Sequence, residues 1–255
     1  MNRLAVYELG VNEIKLTIYK YSQNGFFAQE SQIVEPVKLT QDMERDGYIK
    51  PIRIQETITV LKNFRRIVDG AKIDNNICFA APVIANARNQ ICENLYIKII
   101  YNAKKYVYIN TPYFIIDGEM KKALVSAAHS GVDVRITVPH IPDKKYVFAL
   151  TKAFYSPLIL EGVKIYQYTP GFIHAKSIVS DDKYAIVGSS NMDFRSLYLH
   201  HECNALFYGE DVCKPVCEDY LNTCKISELI TKEKIKVRWY SRLYRAVLRI
   251  FAPML

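Results

Sequence analysis

From Asn94 onward the chain alternates strand-like and helix-like segments separated by short breaks, and this alternation limits the fold more than any other feature. Tyr106-Val107-Tyr108-Ile109-Asn110 reads as a strand, Glu119 to Ser130 as a helix closed by Gly131, and Val132 to Val138 as a second strand. Lys144 to Glu161 predicts another helix, which Pro157 should disturb or end, and Val163 to Tyr168 a third strand. Two extended stretches follow, Ile173 to Val179 and Tyr184 to Val187, separated by the turn-like Ser180-Asp181-Asp182, and Glu202 to Tyr208 reads as one more strand. Such a pattern predicts an α/β layered domain with βαβ crossovers in at least its first half. Before it the chain is less legible: Ile14 to Tyr21 fits a strand, and Ile58 to Val68 a helix with Leu61, Phe64 and Val68 on one face.

At 255 residues, 50% hydrophobic and 24% charged, the chain has the composition of an ordinary globular protein. No stretch approaches the roughly 18 uninterrupted apolar residues of a spanning helix, and no secretory pattern follows Met1, so the chain is expected inside the cell. The six cysteines lack paired CxxC spacing and are expected as reduced thiols. Most of the net charge of +8 is local: between Lys232 and Arg249 seven cations face a single acid, Glu233. Without that stretch the remainder is nearly balanced, which argues against a nucleic-acid-tracking surface.

The basic stretch has helical spacing. Arg238, Arg242, Arg245 and Arg249 form one stripe and Trp239, Leu243, Val247 and Ile250 a neighbouring one, the pattern of a helix lying on an anionic membrane surface. A terminal helix docked on its own domain, with a solvated basic face, is the alternative. Three regions result: residues 1–90, less clear in pattern; residues 91–230, carrying the α/β alternation; and residues 231–255, a basic amphipathic tail.

The chemistry concentrates between Gly171 and Glu202. In a strand, residues two apart share a face, so His174 and Lys176 project together while Ala175 turns away. A neutral imidazole can attack phosphorus and hold a covalent phosphoryl group, splitting one displacement into two. Lys176, the Asn191 amide and the Ser189 hydroxyl are suited to the charge on non-bridging oxygens. Asp181 and Asp182 are adjacent and would face apart in extended chain, which provides no carboxylate pair for magnesium; no metal or other cofactor is expected.

A lone His-x-Lys carries little information, because most such histidines are structural. Here His174, Lys176, Asp181, Gly188, Ser189 and Asn191 together fit His-x-Lys-x4-Asp-x6-Gly-Ser-x-Asn, which resembles the signature of the phospholipase D superfamily. The resemblance implies a mixed β-sheet flanked by helices, with His174 as nucleophile or general acid/base, Lys176 and Asn191 on phosphate, and Asp181 bracing the turn. It also implies that Glu202 orients the histidine through its second nitrogen. Thr111-Pro112-Tyr113-Phe114-Ile115, Ile141-Pro142-Asp143-Lys144, Tyr168 to His174, Asn191 to Leu197 and the basic ending narrow the similarity to bacterial cardiolipin synthases, from about residue 90 on; before it only Asp46-Gly47-Tyr48-Ile49 matches. That family implies joining of two phosphatidylglycerols into cardiolipin and glycerol through a phosphatidyl-histidine, at the cytoplasmic face of the bacterial membrane, here as a peripheral protein.

Full-length members carry two such motifs, one histidine attacking and the other protonating the leaving alcohol, whereas here no histidine precedes His129. The chain is therefore expected to be a truncated synthase, or to obtain the second motif from a homodimer or another chain. A single-motif homodimeric phosphodiesterase or nuclease, and a catalytically silent membrane-associated partner, are the competing functions.

Overall fold

The computed structural model describes residues 2–22, 24–39, 41, 49–73, 75–80, 91–199 and 202–235. Its strands are β1 (Asn2–Leu9), β2 (Glu13–Tyr21), β3 (Phe27–Pro36), β4 (Asn76–Ala80), β5 (Tyr106–Asn110), β6 (Phe114–Ile115), β7 (Asp133–Pro139), β8 (Lys164–Tyr168), β9 (Ser177–Ser180), β10 (Tyr184–Gly188), β11 (Met192–Asp193), β12 (Asn204–Tyr208) and β13 (Ser227–Leu229). The helices are α1 (Pro51–Gly70), α2 (Ile91–Asn102), α3 (Gly118–His129), α4 (Lys145–Thr151), α5 (Tyr155–Ile159) and α6 (Glu210–Lys225), with a π-helical turn at Arg195–Leu199.

Eleven strands form one mixed sheet in the order β13-β8-β7-β5-β9-β10-β12-β4-β1-β2-β3. β5, β7 and β8 run parallel, joined by α3 and by the α4–α5 segment, as the alternating pattern predicts. α3 illustrates why. The Asp117 side chain caps it by accepting Met120 N–H at 2.8 Å, and Met120, Ala123, Leu124 and Ala127 recur at helical spacing as a buried stripe. The helix ends at Ser130, and Gly131 follows with φ +85°, a left-handed conformation that glycine adopts without a Cβ penalty. That stripe packs with Tyr96, Ile99 and Ile100 of α2, and with Val107, Ile109, Val134, Ile136, Ile178 and Ile186, as the core on one sheet face.

On the other face α6 presents Cys213, Cys217, Tyr220 and Cys224 to Tyr108, Val179 and Ala185. Tyr106, Tyr108 and Tyr220 stack in succession at 4.3 and 4.8 Å between ring centroids, and Thr137 donates its hydroxyl to Tyr220 Oη at 3.0 Å. The cysteines at 78, 203, 213, 217 and 224 are free thiols.

The N-terminal strands belong to the same sheet. β4 pairs antiparallel with β12 and parallel with β1, and β1, β2 and β3 form a meander whose own core, including Ile14, Leu16, Phe64 and Val68, lies under α1. No break in the sheet accompanies residue 90, the boundary expected between the first two regions.

Two sequence expectations are corrected. The helix expected over Lys144 to Glu161 is two short helices broken at Lys152-Ala153-Phe154, ahead of Pro157, which sits in the first turn of α5 where its missing N–H costs no hydrogen bond. The strand expected from Ile173 begins only at Ser177; His174 to Lys176 lead into it as irregular backbone, with the ladder prolonged by Gly188 N–H donating to Lys176 O at 3.1 Å. The tail expected to carry Arg238, Trp239, Arg242, Arg245 and Arg249, and Asp46 to Tyr48 of the N-terminal match, lie outside the described residues.

Candidate active site

β9 and β10 form a hairpin, with Ser180 paired to Tyr184. Asp181 and Asp182 both adopt φ +56°, the positive values that a tight hairpin turn of the I′ kind requires and that aspartate tolerates better than most residues. The Asp181 carboxylate accepts three backbone N–H groups at the start of β5: Lys104 at 2.7 Å, Lys105 at 2.9 Å and Tyr106 at 2.9 Å. Charge-assisted bonds of this kind contribute about 1.5–3 kcal/mol each. They lock the turn to the neighbouring strand at the end of β9 remote from His174.

At the opposite end, His174 is exposed and Lys176 half-buried. The two meet directly: Lys176 Nζ lies 3.1 Å from His174 Nδ1 and donates to the His174 carbonyl at 2.7 Å. An ammonium donating to Nδ1 makes that nitrogen the acceptor and leaves the ring proton on Nε2. Partial burial lowers the pKa of Lys176, opposed by the nearby carboxylates of Glu202 and Asp193. Phe172 stands 5.9 Å from the imidazole, centroid to centroid, and Tyr113 6.3 Å beyond it.

β10 ends at Gly188, opposite Asn204 of β12. A Cβ at Gly188 would collide with Asn204 Oδ1 and the Cys203 carbonyl and stand 2.7 Å from Asn204 Cα, so glycine is required for this close approach. Just beyond, Ser189 N–H donates to Cys203 O at 3.0 Å, Cys203 N–H donates to Ser189 Oγ at 2.9 Å, and the Ser189 hydroxyl donates to Glu202 Oε2. Glu202 thus holds Ser189, while the hydrogen-bonding neighbour of His174 is Lys176.

A cleft of about 680 Å³ opens beside these groups, lined by His174, Lys176, Val187, Ser189, Pro215 and Val216 among others. Asn191, predicted to bind phosphate together with Lys176, faces elsewhere. Its Nδ2 donates to Ser196 Oγ at 3.0 Å, and it lines a second cavity with Tyr113, Asp193 and Arg195. His174, Lys176, Ser189 and Glu202 are therefore brought together, Asn191 stands on an adjoining wall, and Asp181 lies at the far end of the hairpin.

Three contributors escaped sequence reading. Asp193, 6% exposed, reaches Lys176 electrostatically and accepts Ser196 N–H at 2.7 Å; its place in the Asn191–Leu197 segment was the available signal. Pro215 and Val216 wall the cleft from α6, a helix signalled only by cysteines and one tyrosine at helical spacing.

Comparison with known proteins agrees with this architecture. The family described as "Cardiolipin synthase, PLD-like domain" matches residues 96–222. A cardiolipin synthase of Halalkalibacterium halodurans is 39% identical over 171 residues, 67% of this chain and 34% of that protein. Among solved structures, a phosphatidylserine synthase of Haemophilus influenzae aligns over 96% of this chain and 66% of its own, with TM-score 0.52 and 16% identity. The phospholipase D family member Nuc of Salmonella typhimurium aligns over 62% of this chain and 99% of its own, with TM-score 0.51 and 17% identity. The fold is thus that of the phospholipase D superfamily. Within it, the chain belongs to the bacterial cardiolipin synthase type. It spans about a third of the length of the curated relatives it matches.

Proposed function

We propose that the chain is a cardiolipin synthase-like phosphatidyltransferase that joins two phosphatidylglycerols into cardiolipin and glycerol, with His174 as the covalent nucleophile. The observation that carries this reading is the direct contact of an exposed imidazole with an ammonium group at the mouth of an open cleft. In the attacking state the ring proton sits on Nδ1, so Lys176 leaves that nitrogen and turns to the non-bridging oxygens of the phosphate. The Nε2 lone pair then forms the bond to phosphorus as the bond from phosphorus to the glycerol oxygen breaks, and that oxygen takes a proton from a general acid. A second histidine motif provides the acid. Ser189, held by Glu202, places its hydroxyl beside the same phosphate, and Asp181 acts only through the turn it fastens.

We also assign the basic tail, with Arg238, Trp239, Arg242, Arg245 and Arg249, to an anionic membrane surface, which makes the protein peripheral at the cytoplasmic face. Among the described residues no helix is long and apolar enough to cross a membrane. The test of the chemistry is direct: purified protein with phosphatidylglycerol vesicles should yield cardiolipin and glycerol, and His174→Ala should abolish both. Product formation that survives the substitution refutes the nucleophile. Absence of turnover by the wild type on both lipid and DNA supports instead a silent partner of another synthase.

A further inference from the structure

One rim of the sheet gathers exposed apolar side chains around His174 and Lys176. Ser227, Tyr168 and Pro139 stand at one level across β13, β8 and β7, and Thr137, Asn110 and Ser177 at one level across β7, β5 and β9. The chain before Ser227 and before Ser177 and the chain after Pro139 therefore leave the sheet at the same rim. There Ile226 is 52% exposed, Ile141 53%, and Tyr146, in the first turn of α4, 47%. Val187, paired with Ser177 on β10, is 40% exposed and walls the cleft. From β13 to β10 the rim crosses five strand spacings, about 24 Å. Apolar exposure of this breadth marks an interaction surface, unlike the scattered single exposures of an ordinary protein surface.

Charge selects the partner. Lys144 and Arg195 are exposed at this rim, where they line one cavity with Tyr113 and Tyr146. The neighbouring carboxylates of Asp143 and Glu202 accept the Tyr113 and Ser189 hydroxyls. Tyr113 also ties the Asp143 loop to the site, 6.3 Å from Phe172, which is 5.9 Å from His174. Cations beside aliphatic and tyrosine side chains fit an anionic lipid interface, where amphipathic rings sit at headgroup depth and lysine draws anionic lipid.

We infer that this rim is a membrane-docking face: Ile141, Tyr146 and Ile226 enter the interfacial layer of an anionic bilayer, Lys144 and Arg195 meet its headgroups, and the His174 cleft opens onto the lipid. The contact is separate from that of the tail. It rests on the phosphatidyl-transfer reading, which gives the reason for lipid, rather than a second copy of the chain, to cover the rim.

The full chain has a single tryptophan, Trp239, so reporters can be moved. Trp239→Phe/Ile141→Trp puts the only tryptophan on this rim. Trp239→Phe/Leu160→Trp puts it at the opposite rim, where Leu160 is 58% exposed ahead of β8. On phosphatidylglycerol vesicles brominated in the upper acyl chain, quenching at position 141 should be at least three times that at position 160. Equal quenching, or no vesicle binding, would overturn the proposal. So would emission at position 141 that shifts to the blue with protein concentration in the absence of lipid, which assigns the rim to a second copy. Lys144→Gln should lower partition onto phosphatidylglycerol about fivefold, one cation's share, and a loss under twofold removes its headgroup contact. Tyr146→Ser/Ile226→Ser should lower partition at least threefold while Leu160→Ser leaves it unchanged, and equal effects overturn the orientation. Quenching reads contact and not turnover. A chain that docks without making cardiolipin defeats the transferase reading alone, and one that makes cardiolipin without quenching at position 141 defeats the docking face alone.

Discussion

At the scale of single residues, His174 and Lys176 were legible within the full string from His174 to Asn191, whose residue types stand at the offsets of a family signature. His174 and Lys176, two apart, meet at 3.1 Å although regular strand begins only at Ser177. What the sequence conceals is burial created by distant segments, and Glu93 is the sharpest case. It is 3% exposed, accepts the Tyr198 hydroxyl at 2.5 Å, and lies near Asp117 and Glu119. Burial raises its pKa, with Asp117 and Glu119 adding to the effect against the Tyr198 hydrogen bond. The folded state therefore binds this proton more tightly than the unfolded chain. The stabilisation is complete below the ordinary carboxylate value of about 4.3 and is lost as pH rises through the raised folded-state value. Glu93→Gln, neutral at every pH, should flatten the decline of the thermal midpoint from pH 5 to 8. An identical decline in both proteins would show that Glu93 does not titrate in this way.

At the scale of elements, β5, β7, β8 and α3 were readable because β-branched runs and a capped apolar stripe signal them locally. α6 was not, since Pro215 stands inside it and its buried stripe is Cys213, Cys217, Tyr220 and Cys224 rather than leucine or isoleucine. The N-terminal β1, β3 and β4 were equally obscure: β3 is an edge strand, mostly exposed, with no clean alternation. α6 nonetheless packs on β5, β9 and β10, with Tyr220 1% exposed and stacked on Tyr108. Tyr220→Ala should cost about 3–5 kcal/mol, the range for deleting a buried aromatic ring. Tyr220→Phe should cost only about 1 kcal/mol for the lost Thr137 hydrogen bond. Chemical denaturation of the two variants checks this, and equal losses would show that the hydroxyl rather than the ring carries the contribution.

At the scale of the whole molecule, these 255 residues carry one His-x-Lys motif, and whether two copies share a site can be measured. If a second copy supplies the acid, turnover per chain should rise with protein concentration. Pre-equilibrated equal mixing with His174→Ala should then leave about a quarter of all pairs fully wild-type. Activity that stays proportional to the wild-type fraction at every dilution excludes a shared site. For the proposed contact of the tail with the membrane, replacing Arg238, Arg242, Arg245 and Arg249 by glutamine should reduce flotation with anionic vesicles, and unchanged flotation would remove the tail from that role.

The place of the hairpin within the sheet has a further consequence. β9 has four strands on one side and six on the other, so its amides are sheltered from both rims. Deuterium should enter Ile178 and Val179 among the last positions in the chain, long after the N-terminal meander has exchanged. Mild heat or denaturant would then loosen the peripheral walls of the cleft while the strand that follows His174 and Lys176 is still standing.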